Sequence, residues 1–315
     1  MKQNTIRALI QCLRPQQWYK NAVIVLGMFF GGKVLDFKIY PEILLGFFVL
    51  GFVSSFNYLL NDILDLKKDQ AHPEKQSRPI AAGKITLRGG MLLCVVLLLL
   101  IAVGNLGIYF LSSQFIAILF SSTVILIIVN GLLYNTVFKH YVVMDVLTLS
   151  LIYIWRTLAG IFIAEVIFSP WLYLIVYLSA LLLAVNKRKA DLLFLGKEKA
   201  VEHKTIYNNY SPSLLTQFST IVAVGLFMTY AFYCILGPVS GFAGPYLTNN
   251  QYFIICSIPI ALYILLRYLY IVEHKPEAAR KAEKALFDIG IIVGGIILVI
   301  VIYVANYVQL PFWQM

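Results

Sequence analysis

Apolar residues run along this chain in long blocks separated by short polar stretches. A helix needs about 20 such residues to cross the hydrocarbon core of a bilayer. Blocks of that length fall at residues 16–36, 42–61, 89–110, 114–136, 142–164, 170–186, 214–236, 250–271 and 286–309. The pattern predicts about nine spanning helices. The first block is the weakest, because its purely apolar part runs only from Ala22 to Gly32. A helix opened by Pro15, a residue suited to a first turn, would give it enough length with an amphipathic start. No small-residue cleavage site marks this end as a signal peptide, so it reads as part of the bundle.

Composition agrees with the pattern. Of the 315 residues 60% are hydrophobic and 13% charged, with mean hydropathy +0.82. A soluble domain would carry about twice that charged fraction. The expected fold class is therefore an all-α integral membrane protein, one polytopic domain over residues 1–315. Cys12, Cys94, Cys234 and Cys256 are scattered singly, which predicts neither a disulfide framework nor a zinc site.

The net charge of +10 does not sit on a separate module, so it argues against a nucleic-acid partner and for topology and anionic substrates. Lys and Arg number four before the first span's apolar part, six between the second and third spans, one between the fourth and fifth, six between the sixth and seventh, and four between the eighth and ninth. Only Lys33 and Lys38 fall on the opposite side, while Arg156 and Arg267 lie within spans. The positive-inside rule then puts the N-terminus in the cytoplasm of a multi-pass protein of the cell membrane. The two long polar loops, 61–88 and 186–213, share that cytoplasmic face and are expected to cap an active site there. They lie four spans apart, as a duplicated four-helix unit would place them, though no residue-level repeat is evident.

The first long loop opens Asn61-Asp62-Ile63-Leu64-Asp65-Leu66-Lys67-Lys68-Asp69. If the second spanning helix continues beyond the bilayer, Asn61, Asp65 and Asp69 recur every four residues, with Asp62 three before Asp65. All four would then fall near one face. Carboxylates crowded beside a membrane repel one another unless a cation lies between them. Mg²⁺, which takes one or two carboxylates plus phosphate oxygens, is the natural candidate. The bland alternative is a solvated helix end balanced by Lys67 and Lys68. Lys75, Arg78 and Lys84 follow closely and suit phosphate oxygens. His72 reads as structural rather than as a general base.

Asn-Asp-x-x-Asp-x-x-x-Asp followed by Arg78-Pro79-Ile80-Ala81-Ala82-Gly83 resembles the first signature of the UbiA superfamily of intramembrane prenyltransferases. Tyr134 through Lys139 is similar to that superfamily's Tyr-x-x-x-x-Lys element. The resemblance covers the whole chain and implies nine helices, Mg²⁺ as cofactor and a diphosphate leaving group, with Asn61, Asp62, Asp65 and Asp69 as metal ligands and the three aspartates catalytic. One branch, the decaprenyl-phosphate phosphoribosyltransferases, looks closer. Arg14-Pro15-Gln16-Gln17-Trp18-Tyr19-Lys20-Asn21 resembles its opening motif, His72 through Gly83 its first loop, and Asp145 through Arg156 and Gly160 its fifth helix.

Where ordinary members of the superfamily have a second Asp-rich motif, this chain has Asn186-Lys187-Arg188-Lys189-Ala190-Asp191 and then Tyr210-Ser211-Pro212. That resembles the same branch, with Asp191 in place of Glu. The exchange has physical sense. Phosphoribosyl diphosphate (PRPP) carries a 5-phosphate besides its diphosphate, and a polyprenyl phosphate brings another anion. A single Mg²⁺ cannot balance all of these, whereas Lys20, Lys75, Arg78, Lys187 and Arg188 could. Arg156 sits about 11 residues into the fifth span, roughly 16 Å deep at 1.5 Å per residue. A charge at that depth is by default functional, although Glu165 could serve as a structural partner. The substrate-binding set implied is Arg14, Lys20, Asn21, Lys75, Arg78, Tyr134, Lys139, Arg156, Lys187, Arg188 and Asp191.

The expected reaction is Mg²⁺-dependent transfer of a 5-phosphoribosyl group from PRPP to a polyprenyl phosphate such as decaprenyl phosphate. The lipid phosphate is already anionic and needs no strong general base. Two alternatives stand beside it: prenyl transfer from a prenyl diphosphate to an aromatic or glycerol-phosphate acceptor, and transport without chemistry. Transport would call for charges through the full membrane depth. Homo-oligomerisation is left open.

Overall fold

The computed structural model describes residues 2–71, 74–236, 251–280 and 282–308. His72 and Pro73 lie outside them. Every regular element among the described residues is helical. Seven helical segments are long and apolar enough to cross a membrane: Phe37–Leu64, Leu87–Leu111, Gln114–Thr136, Met144–Ile163, Pro170–Leu195, Pro212–Leu236 and Ile255–His274. Seven of the nine sequence blocks are thus present as such segments, and the last is a shorter apolar helix.

The chain forms two units, residues 1–139 with 154–166, and residues 140–153 with 167–315. The first unit contains α1 (Lys2–Leu13), α2 (Val25–Phe30), α3 (Tyr40–Leu64), α4 (Leu66–Ala71), α5 (Leu87–Leu111) and α6 (Gln114–Thr136). Part of α7 (Met144–Ile163) belongs to each unit. Side-chain oxygens start several of these helices by accepting otherwise unpaired first-turn amides. Thr86 accepts from the Gly89 amide at 3.1 Å to open α5, and Ser113 accepts from the Ile116 amide at 3.4 Å to open α6. Within this unit α3 packs against α1, α5 and α6.

The first predicted span departs from a single α-helix. Residues Pro15–Ile24 form a 3₁₀ helix, and only Val25–Phe30 are α-helical. The sequence carries the reason in a period of three. A 3₁₀ helix brings every third side chain onto one face, and Trp18, Asn21 and Ile24 are so spaced, with Gly27 following in α2. Asn21, Ile24 and Gly27 are buried, and the Trp18 indole rests on Gly51 of α3 and donates to Ser55 Oγ at 3.0 Å. The backbone comes closest at Gly160 of α7, where a Cβ would stand 1.8 Å from the Ile24 carbonyl oxygen. Only glycine permits that approach.

The second unit contains α8 (Pro170–Leu195), α9 (Lys197–His203), α10 (Pro212–Leu236), α11 (Gln251–Ile254), α12 (Ile258–His274), α13 (Pro276–Ala279), α14 (Ala282–Leu286) and α15 (Ile289–Tyr307). Ser169, Ser211 and Asp288 cap α8, α10 and α15 by accepting the amides of Leu172, Leu214 and Gly290. Here α8 packs on α10 and α13, and α12 on α15. Their shared core includes Leu182, Val185, Leu215 and Ile271, together with Tyr207 and Tyr210, whose rings are almost wholly enclosed.

Candidate active site

In the first unit the acidic run does not continue on one straight helix. Helix α3 ends at Leu64, Asp65 takes a non-helical conformation (φ −94°, ψ 11°), and α4 resumes at Leu66. Amide bonds from Asp65 to Asn61 O (2.9 Å) and from Asp69 to Asp65 O (2.8 Å) keep the α-type pattern through the break. The acids consequently divide. Asp62 and Asp69, seven residues apart, meet on one atom, Arg78 Nη1, at 2.9 and 2.6 Å. Asp65 instead accepts from Lys139 Nζ at 2.8 and 3.0 Å.

Arg14 completes the grouping. Its Nη2 lies 2.7 Å from both Asp62 oxygens, and its guanidinium stands 5.0 Å from the centre of the Tyr58 ring. Arg14 itself is left-handed, φ 50°, where α1 turns into the 3₁₀ helix. Lys75 Nζ stands 4.0 Å from Asp69. Burial lowers the Lys75 pKa, a shift that the charge of Asp69 opposes and that of Arg78 reinforces. Asp62 and Asp69 are only 3% exposed, so the solvated-helix-end alternative does not describe them. Lys67 and Lys68 are exposed. Asn61 is half-buried beside the acids in the chain, and Tyr134 is half-buried in the last turn of α6.

Three other predicted residues lie deeper or aside. Arg156 is buried and its Nη2 donates to Ser54 Oγ at 3.1 Å; Ser54 in turn lies 3.3 Å from Asn21 Oδ1. Asn21 Nδ2 is buried with no hydrogen-bond partner. Arg156 and Asn21 are therefore joined through Ser54, which the sequence reading did not single out. Glu165, the alternative partner for Arg156, is exposed. Lys20 lies over the Tyr19 ring, 5.8 Å from its centre.

The second unit holds its own polar cluster. Arg188 is 3% exposed and donates through Nε to Asp145 Oδ2 at 2.9 Å. Tyr210 donates its hydroxyl to the other Asp145 oxygen at 2.7 Å and accepts the Val143 amide at 2.9 Å. Val143 adopts φ 68°, a conformation that strains a β-branched residue. Burial, then the bond to Asp145, drives the Tyr210 pKa far above the ordinary tyrosine value, so this hydroxyl stays a donor. Asp191 accepts from Tyr207 (2.6 Å) and Arg280 (2.9 Å). Lys189 is buried and paired with Glu273. Lys187 is exposed. Asp145 and Tyr210 were absent from the expected site, although both stand in motifs already noted. A lone acid opening a span whose unit carries Lys187 and Arg188 was the available signal.

Among the described residues, no three His, Cys, Asp or Glu side chains gather into a ready metal pocket. Two carboxylates do converge on a single cationic atom. That donor set fits Mg²⁺, which can draw its other ligands from phosphate and water.

Long apolar helices carrying an acid–base cluster at the end of one of them define a multi-pass membrane protein. Residues 22–292 match the UbiA prenyltransferase family, and the chain belongs to it. Curated relatives include decaprenyl-phosphate phosphoribosyltransferase of Corynebacterium glutamicum, 29% identical over 246 residues, covering 77% of this chain and 72% of that protein. The protein of the same name from Mycobacterium tuberculosis is 26% identical over 267 residues, covering 83% and 82%. Among solved structures, a UbiA homologue from Archaeoglobus fulgidus bound to GPP and Mg²⁺ has a TM-score of 0.66 at 18% identity, covering 96% of this chain and 99% of that one. A structure of digeranylgeranylglyceryl phosphate synthase has a TM-score of 0.62 at 18% identity, covering 98% and 100%. The chain is thus a membrane transferase of this family, and the solved structures share its fold.

Proposed function

We propose that this protein transfers a 5-phosphoribosyl group from PRPP to a polyprenyl phosphate and releases diphosphate. The observation that carries the reading is the meeting of Asp62 and Asp69 on one cationic atom, ringed by Arg14, Lys75 and Lys139. The relatives named decaprenyl-phosphate phosphoribosyltransferase support the choice of donor and acceptor.

Asp62 and Asp69, with Asn61 and Asp65 nearby, would hold Mg²⁺; when bound it neutralises the departing diphosphate. Arg78 and Lys75 supply donors to the phosphate oxygens of the donor substrate, and Lys139 adds a further cation. Arg14 holds Asp62 in place, and Tyr58 carries the Arg14 guanidinium against its ring. As the C1–oxygen bond to diphosphate breaks, the sugar acquires oxocarbenium character, as in glycosyl transfer generally. The lipid phosphate attacks C1 as an anion, so the chain needs to hold no proton acceptor there. In the second unit Lys187 and Arg188 are assigned to phosphate binding, with Asp145 and Tyr210 fixing Arg188. Asp191, engaged by Tyr207 and Arg280, steadies the end of α8. Arg156, Ser54 and Asn21 offer a buried set of donors to an anionic group. The N-terminus and the polar loops face the cytoplasm in this reading, in keeping with the positive-inside rule.

The test is transfer itself. Purified protein in liposomes containing decaprenyl phosphate is given Mg²⁺ and PRPP labelled in the ribose. Label should enter the lipid phase only when metal and acceptor are both present. Unlabelled lipid, with prenyl diphosphate consumed in a parallel reaction, would assign prenyl transfer instead.

A further inference from the structure

The charges of the first-unit cluster are already matched without any metal. Asp62 takes Arg14 and Arg78, Asp69 takes Arg78 and Lys75, and Asp65 takes Lys139. Three carboxylates face four cations, an excess of one positive charge. The layering is as informative as the count. The side chains of Asp62 and Asp69 are 3% exposed, against 25% for Arg78 and 28% for Lys75. The cations therefore lie on the solvent side of the acids, and Arg78 Nη1 occupies the point on which both carboxylates converge.

A divalent cation arriving alone meets a cluster that is net positive and must displace Arg78 from two charge-assisted bonds. The displaced guanidinium would then stand, without an anion, beside the ion that expelled it. A diphosphate arriving alone finds Arg78 and Lys75 already committed to carboxylates. When the two arrive together both objections vanish. Asp62 and Asp69 would then hold the metal, and Arg78 would pass to the phosphate oxygens, a bidentate acceptor suited to its fork.

We infer that Arg78 is the internal counter-ion of this site, so that divalent cation and diphosphate bind as a mutually dependent pair and neither binds well alone. The inference rests on the reading of this cluster as a metal–diphosphate site and adds to it how that site is loaded. It also gives Arg78 opposite signs in two measurements. With respect to the metal alone it is a competitor; with respect to diphosphate it is a ligand. A residue serving merely as structure or as a phosphate ligand would not weaken metal binding. Coupling between two ligands is reciprocal, so each should tighten the other equally.

The experiment uses detergent-purified full-length protein in direct binding measurements without turnover. Mn²⁺ is titrated alone and followed by its electron paramagnetic resonance signal. Radiolabelled inorganic diphosphate is titrated separately, with excess Mg²⁺ and with chelator. In the wild type, diphosphate should bind at least about tenfold more tightly with Mg²⁺ than with chelator, within the usual range of coupling. Arg78→Gln should bind Mn²⁺ alone about tenfold more tightly than wild type while losing affinity for Mg²⁺-diphosphate. Arg78→Lys, which keeps the charge, should leave Mn²⁺ binding weak. Lys139→Gln, which frees Asp65, should also tighten Mn²⁺ binding and provides the reading if Arg78→Gln does not fold.

Mn²⁺ affinity that is unchanged or weaker in both neutral variants would overturn the inference, as would diphosphate binding indifferent to metal. Those failures are separate from failure of the phosphoribosyl reading. A protein that shows the coupling but puts no label from PRPP into lipid keeps this inference and loses only the choice of substrate.

Discussion

Replacing Tyr210 with phenylalanine removes one oxygen and leaves the packing shape, so its effect isolates the hydroxyl. That oxygen donates to Asp145 at 2.7 Å and accepts the Val143 amide at 2.9 Å, inside a ring environment almost closed to solvent. A hydrogen bond to a charged group contributes about 1.5–3 kcal/mol and an ordinary one about 0.5–1.5 kcal/mol; Val143 is exposed, so the loss of its amide's acceptor counts only as an ordinary bond. Asp145 keeps Arg188, which argues for the lower part of the first range. The two lower parts together give about 2 kcal/mol of destabilisation. Val143 adds to the reasoning, since its φ of 68° is held in part by the bond that is lost. Equilibrium unfolding in mixed detergent micelles measures the difference. Tyr207→Phe is a companion variant: it removes the bond to Asp191, which retains Arg280, and the bond with Arg188, and should cost about 1.5–3 kcal/mol. Should Tyr210→Phe fall within about 0.5 kcal/mol of wild type, the range of a surface change, the Tyr210–Asp145–Val143 connection does not exist as described.

Other variants test other parts of the molecule. Asp69→Asn should lower Mg²⁺-dependent transfer by about 100-fold or more while the protein stays folded, because the amide lacks the charge a hard cation needs; near-normal turnover would remove Asp69 from the metal set. Arg188→Ala leaves the Asp145 carboxylate buried without its cation and should destabilise by about 3–5 kcal/mol, read by the same unfolding assay, and should raise the KM for PRPP in the fraction that folds. Gly160→Ala drives a methyl to 1.8 Å from the Ile24 carbonyl oxygen, so the 3₁₀ helix must shift, at a cost of about 1–3 kcal/mol or more; a fully stable alanine variant would contradict that close approach.

Much of the fold was legible because a bilayer demands long apolar helices and the chain supplies them. Seven of the nine sequence blocks correspond to long apolar helical segments, and the last to a shorter one. The first was harder. A search for spans asks only whether about 20 apolar residues are present, whereas the period of three in Trp18, Asn21 and Ile24 suits a 3₁₀ helix. The acids show the same division. Spacing brought Asp62 and Asp69 together, because seven residues make two turns, but it did not show that Asp65 would take a cation of its own. The break at Asp65 and the ammonium of Lys139, 74 residues away in sequence, give that carboxylate a separate partner. Long-range partners of this kind leave no mark in local periodicity. Asp191 and Arg280, and Arg188 and Asp145, were invisible for the same reason, since each pair joins separate helices or loops of the second unit.

The most direct test of the central claim is diffraction from crystals grown with Mn²⁺ and PRPP, collected at the manganese absorption edge. An anomalous peak should appear against Asp62 and Asp69, with Arg78 moved from the carboxylates to the diphosphate. A peak elsewhere, or Arg78 still bridging both acids with the donor bound, would contradict it.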